Sequence, residues 1–224
     1  MFISISFAGS RRHPNLDKLK ISIDNFFIKM ENTLLAKYER SLNFHINLLN
    51  GLADGADMEC ADAFIQWQPK CGITKTITGV FPFPIVDYLQ TISDKKRFEN
   101  LLKKLNNIVV LDGLYVPDRT KVSCKRSPKE CRVKAYRQQA DYLLLSSDIL
   151  FVAADRNIPR REGGTMETVD KALNADLPVV FLNLNNMNFD FLWFKEEISR
   201  KACHKDNGIW HELNKLFSML EAQY

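Results

Sequence analysis

Three glycine-bearing turns in this chain have the residue types that hold an anion. The first is Ala8-Gly9-Ser10-Arg11-Arg12. Gly9 lets backbone approach a ligand closely, Ser10 offers a hydroxyl, and Arg11 or Arg12 offers a planar fork for phosphate or carboxylate. The second runs from Asn50 to Asp57 and contains Gly51 and Gly55. Both glycines suit positive φ or close approach, and the helix expected next points free amides and a positive dipole at the same crevice. The third, Arg160-Arg161-Glu162-Gly163-Gly164-Thr165, passes abruptly into helical periodicity. Gly163 and Gly164 expose bare backbone there, Thr165 is placed to cap, and the new helix again supplies amides.

The charged residues beside these turns each admit two readings. Asp54 either caps the second helix or holds ribose hydroxyls, and Asp57 either favours the first helical turn or takes the ribose instead. Glu167 lies off the apolar stripe of Met166, Val169, Ala172 and Leu173. It therefore faces the crevice or complements the helix dipole. Arg137 and Gln138, ahead of the last long strand, form a fourth element, although a lone arginine on a helix is more often solvated or paired. No GxxxxGK[ST] run is present, which excludes a Walker-type nucleotidase. No GxGxxG follows the first strand, which counts against an ordinary dinucleotide dehydrogenase.

Placing these turns side by side requires strands that alternate with helices. Apolar, β-branched runs predict strands within residues 1–8, 43–51, 75–84, 108–111, 148–155 and 177–184. Helical spacing predicts helices over 15–36, 53–67, 95–105, 131–147 and 165–175, with an amphipathic helical tail from Phe191 to Tyr224. Residues 85–130 are the least orderly part. Such an order implies an α/β, Rossmann-like parallel sheet covered by helices on both faces. Ligands of such sheets sit beyond the carboxyl ends of the strands, near the point where strand order reverses. Residues 1–185 form the expected nucleotide-binding domain, and residues 186–224 a helical extension packed on it or used for self-association.

Composition narrows the classes. The chain has 224 residues, 46% of them hydrophobic and 26% charged, enough for one sizeable core. A net charge of +4 is too small to argue for nucleic acid or membrane. The five cysteines form no C-x-x-C pair and are read as reduced thiols in a cytoplasmic protein. The longest apolar candidate, YLLLSSDILFVAAD, is broken by Ser146, Ser147 and Asp148, so no membrane span is expected. His204 and His211 flank Cys203 without tetrahedral ligand spacing, and neither metal nor cofactor is called for. Trp67, Trp193 and Trp210 read as core or interface, and Phe81 and Phe83 pack or stack on a base.

Four segments in this order, FAGSRR, NGLADGADMECADAF, AYRQQADYLLLSSDILFVAAD and EGGTMETVDKALNADLPVVFLN, resemble the SLOG superfamily. This Rossmann-like group includes LOG phosphoribohydrolases, DprA-type proteins and bacterial nucleotide sensors. The resemblance implies a nucleotide pocket with phosphate near Gly163, Gly164 and Thr165 and ribose near Gly9, Ser10, Arg11, Gly51, Asp54 and Gly55. Arg137 and Glu167 complete the implied ligand set. LOG enzymes carry Pro-Gly-Gly-x-Gly-Thr-x-x-Glu, whereas here one glycine is missing and Glu167 follows Thr165 by two residues. One helical step rotates a side chain by about 100°, which weakens the carry-over of Glu167 as a catalytic acid.

The sequence is more similar to the sensor branch, whose members bind ADP-ribose or its cyclic forms in bacterial antiviral systems. These domains are usually joined to an effector. The resemblance thus implies a homo-oligomer, an effector subunit or a fused effector outside this chain, and a ligand that is sensed. Two alternatives remain. An N-glycoside hydrolase of LOG or deoxyribosyltransferase type would need Glu167, Asp155 or Asp57 at the anomeric carbon. DprA-like nucleic-acid binding would draw on the basic stretch from Arg119 to Arg137, although its aromatic interleaving is thin. That stretch equally suits a lid, with Leu114 to Pro128 ordering over a bound diphosphate.

Overall fold

Strand β1 (Phe2–Gly9) alternates in a way that fixes the two faces of the molecule. Ile3, Ile5 and Phe7 point one way and are fully buried, while Ser4 and Ser6 point the other. The structure is a computed structural model that describes residues 1–37, 43–70, 72–111, 128–192 and 213–219. Around β1 it builds a seven-stranded sheet in the order β4-β3-β2-β1-β5-β6-β7. The other strands are β2 (Phe44–Asn50), β3 (Ile73–Phe81), β4 (Asn107–Val110), β5 (Ile149–Ala154), β6 (Val179–Asn183) and β7 (Asn188–Leu192). All neighbours pair in parallel except β6 and β7. This is the expected Rossmann-like α/β architecture.

Helices α1 (Leu16–Lys37) and α2 (Ala56–Gln66) pack together and share the larger core. Leu19, Ile23, Phe26, Phe27 and Met30 of α1 meet Phe7 and Phe151 of the sheet there. Burying each such side chain stabilises the fold by roughly 1.5–3 kcal/mol. On the opposite face, α6 (Thr165–Asn174) covers Leu150, Val152 and Phe181, and α5 (Pro128–Leu145) covers Leu49 and Val80 through Leu143. Two short helices, α3 (Ile85–Leu89) and α4 (Lys95–Leu102), follow β3. The first lies in a segment expected to be irregular; Pro82 follows the last strand residue, and Pro84 opens the helix.

Two expectations need correction. The helical tail does not begin at Phe191. Residues 184–187 turn back, and Phe189 and Phe191 follow a period of two, so β7 closes the sheet as an antiparallel edge. Helical residues 213–219 do place Leu213, Leu216 and Phe217 in the main core. Burial on both faces holds for β5 but not for the amino ends of β2 and β3. Asn47 there accepts from the hydroxyls of Thr76 and Thr78 at 3.1 and 3.0 Å, and His45 bonds Thr74 and Thr76, both at 2.9 Å. Cys60 and Cys131 are buried and not joined in a disulfide. Trp193, Trp210, Cys71, Cys124, Cys203, His204, His211 and the stretch from Arg119 to Arg126 lie outside the described residues, as does most of the expected lid.

Gly55 carries the tightest backbone approach. Its φ is +84°, and a Cβ there would lie 2.3 Å from the carbonyl oxygen of Arg11. Gly55→Ala is therefore expected to lower unfolding free energy by about 2–4 kcal/mol, from left-handed strain and steric overlap together. Gly164→Ala, at φ −97° with its nearest contact at 3.0 Å, should cost far less in the same urea titration.

Candidate ligand-binding cleft

Strand order reverses between β1 and β5, and a cleft of about 720 Å³ opens beyond their carboxyl ends. The turns around it are stitched to one another by backbone. Ser10 N donates to Ala153 O at 2.9 Å, Ala56 N to Ser10 O at 3.0 Å, and Thr165 Oγ1 to Gly9 O at 3.0 Å. The first turn is thus bonded to the end of β5 and to the starts of α2 and α6. Gly9 makes this possible, because a Cβ there would fall 2.4 Å from Ala56 Cβ. Its bare backbone serves helix packing more than ligand approach.

Gly9, Ser10, Arg11, Gly51, Gly163, Gly164 and Thr165 all line the cleft, so seven of the expected positions converge. Thr165 does not cap α6. Its hydroxyl is taken by Gly9, and no side chain caps the helix, which leaves its N-terminal amides and dipole facing the cavity. Arg11, Arg12 and Arg161 also line it and form no ion pair with a carboxylate among the described residues. The Arg11 guanidinium donates to the Tyr136 hydroxyl at 2.9 Å and lies 5.4 Å from that ring centre. Asp155 at the cleft wall is partly occupied as an acceptor for Asn157 N and Asn185 Nδ2.

Four expected residues stand off the cleft lining. Asp54 neither caps α2 nor faces the cavity: both its oxygens accept from Ser93 N, at 3.1 and 2.9 Å. Gly55 lies behind Arg11, as described. Glu167 and Arg137 are spent on each other, through Nε to Oε1 at 2.6 Å and Nη2 to Oε2 at 3.1 Å. Glu167 also accepts from Gly163 N at 2.9 Å, and Arg137 reaches Glu162 at 3.5 Å. The bond from Arg137 holds the Glu167 carboxyl below the usual carboxylate range. An ionised, bidentate-paired carboxylate outside the cavity is unsuited to be the catalytic acid. Its physical role is to brace the glycine turn, which has φ +68° at Gly163.

Two acids do line the cleft, Asp155 and Asp57, and the buried one is Asp57, only 8% exposed. Ala53 N donates to its Oδ2 at 3.4 Å, and the Gly9 amide lies close enough to favour the ionised form. Burial pushes its pKa up to about 7, against the opposing pull of Arg11 and those amides. The loop ahead of Asp57 is held by Asn50, which sequence reasoning missed. Its amide donates to Asp57 O at 3.0 Å and its Oδ1 accepts from Leu52 N at 2.7 Å. That bond secures buried Leu52 at φ +50°, a costly conformation for a branched residue. Gln139, equally buried, donates to Val80 O at 2.6 Å beside Gly51. Polarity after an apolar strand was the available signal for Asn50, but it does not reveal such a bridge. Because the folded protein holds a proton on Asp57 that the unfolded chain releases near pH 4, native stability should fall as pH rises from 4 through 7. The linkage is on the order of 4 kcal/mol. Asp57→Asn should lack this term, so its melting temperature should gain on the parent's between pH 4 and 8.

No protein-family model matches the chain, and no curated protein matches it. Among solved structures, one similar to it is that of the Moco carrier protein from Chlamydomonas reinhardtii, at 16% sequence identity. The alignment covers 81% of this chain and 76% of that one, with a TM-score of 0.39. The architecture stands on the chain's own sheet order.

Proposed function

We propose that the cleft binds a phosphorylated, nucleotide-derived small molecule of the ADP-ribose or cyclic ADP-ribose class, in a sensor domain of SLOG type from a bacterial antiviral system. The observation that carries this reading is the uncapped start of α6 facing the same cavity as Arg11, Arg12 and Arg161, which form no ion pair with a carboxylate among the described residues. Helix amides and guanidinium forks together suit phosphate oxygens. The cavity volume lies within the range of small-molecule sites, which runs from about 300 to 1,000 Å³. Sensing is favoured over turnover because Glu167 is braced in an ion pair with Arg137. The effector, whether a subunit or a fused segment, and self-association belong to the same proposal.

An N-glycoside hydrolase remains the second reading, and the observation that favours it is a protonatable carboxyl, Asp57, in the cavity. Mass spectrometry of the protein incubated with NAD, ADP-ribose, cyclic ADP-ribose isomers and nucleoside monophosphates separates the two. Retention of an intact ADP-ribose-like molecule is expected; release of free base with ribose phosphate would replace sensing by hydrolysis. Arg161→Ala should weaken ADP-ribose binding roughly 10- to 100-fold, the worth of a charged hydrogen bond. Gly164→Glu should abolish binding in a folded protein by filling the cradle, and retained affinity would remove the phosphate from this position.

A further inference from the structure

We propose that Asp57 is a ligand-contacting acid of this cleft, which takes up a proton as the anionic ligand binds and donates it in a hydrogen bond to an acceptor atom of that ligand. The proposal rests on the nucleotide reading above. Its basis is the geometry of the cleft floor. Asp57 is more than nine-tenths buried yet lines the cavity, and its Oδ2 accepts from the amide of Ala53 at 3.4 Å. A carboxylate in this position would repel the oxygens of an anionic ligand, so what the carboxyl can offer such a ligand is an O–H. Gly51 keeps the way open: a side chain there would begin 3.3 Å from Asp57 Oδ2 and 2.7 Å from Gln139 Nε2. One N–H of Gln139 Nε2 is committed to Val80 O.

The surroundings leave this proton free to move. Arg11, from the first turn, is the cation facing Asp57 and favours its ionised form. Tyr88 from α3 and Cys60, one turn along α2, are both pushed well up by burial and by Asp57 itself, so neither changes charge near neutrality. Tyr136 of α5 holds Arg11, and Asp54 on the preceding loop acts on Tyr88. In the free cleft, burial pushes the Asp57 carboxyl up to about 7. A bound phosphate engages Arg11 and adds negative charge, and both effects favour the protonated acid. The balance is simple: one proton leaves solvent for an Asp57 oxygen, and no covalent bond forms or breaks.

Isothermal titration calorimetry of the full chain with ADP-ribose tests this, because the ligand's diphosphate does not itself titrate between pH 6 and 9. Measurements at pH 8 in buffers of different ionisation enthalpy count the protons exchanged. Uptake of about one proton per ligand is expected, with affinity falling up to about tenfold per pH unit above 7 and level below pH 6. Asp57→Asn should bind with no proton uptake and no pH dependence over this range. Wild-type binding without proton exchange, or unchanged uptake in Asp57→Asn, would overturn the proposal while leaving the nucleotide reading intact. The wild-type count decides the matter even if the variant does not fold. Absence of ADP-ribose binding by the wild type would overturn both together.

Discussion

The cleft exists because the backbone of Gly9 and Ser10 passes within van der Waals contact of α2. Absence of a Cβ at Gly9 lets Ala56 sit against the end of β1, and absence of one at Gly55 lets the Arg11 carbonyl pass beneath the helix start. Once that approach is made, Ser10 closes on both Ala153 and Ala56, and Thr165 closes on Gly9. Three loops from distant parts of the chain are then held at fixed separation with few of their functional side chains consumed. Arg12, Arg161 and the amides of α6 remain available because backbone and one hydroxyl do the joining.

The distribution of acids follows from that arrangement. Arg137 offsets the charge of Glu167 behind the glycine turn and also reaches the exposed Glu162, so the negative potential that these acids add to the cavity is reduced. Asp54 is spent on Ser93 at the foot of α4. Asp57 alone among these is drawn inward, where the Asn50 bridge and the strained Leu52 fix the loop that presents it. A site that must hold an anion gains from keeping most of its acids paired and the remaining one readily protonated.

Much of this was legible in the residues. β5 and α6 match their predicted bounds within a residue or two, since each carries one clean periodicity and is bounded by glycine or polar residues. The glycine turns converge as strand order demands. What the residues did not reveal was the partner of each polar side chain. Thr165 was expected to cap and instead bonds a carbonyl more than 150 positions away, and Arg137 and Glu167 were taken singly although they belong to one ion pair. Periodicity reports which face a residue occupies; it does not report what waits there. The edge strand β7 was hidden for a related reason, because Phe191 fits a helical stripe as well as a period of two.

The placement of β1 also has a temporal side. It lies at the centre of the sheet, paired on one flank with β2 and on the other with β5, whose first residue follows Phe2 by nearly 150 positions. Closing so long a loop is entropically costly and is rewarded only once β5 is present. On the ribosome, β1, β2 and β3 can associate early, yet β1 keeps a bare edge until residues 149–154 have emerged. The Gly9 turn acquires its second wall at the same moment. The cleft is therefore completed late in synthesis, and a nascent chain halted before Ala154 displays an open strand edge where the finished protein has its cleft.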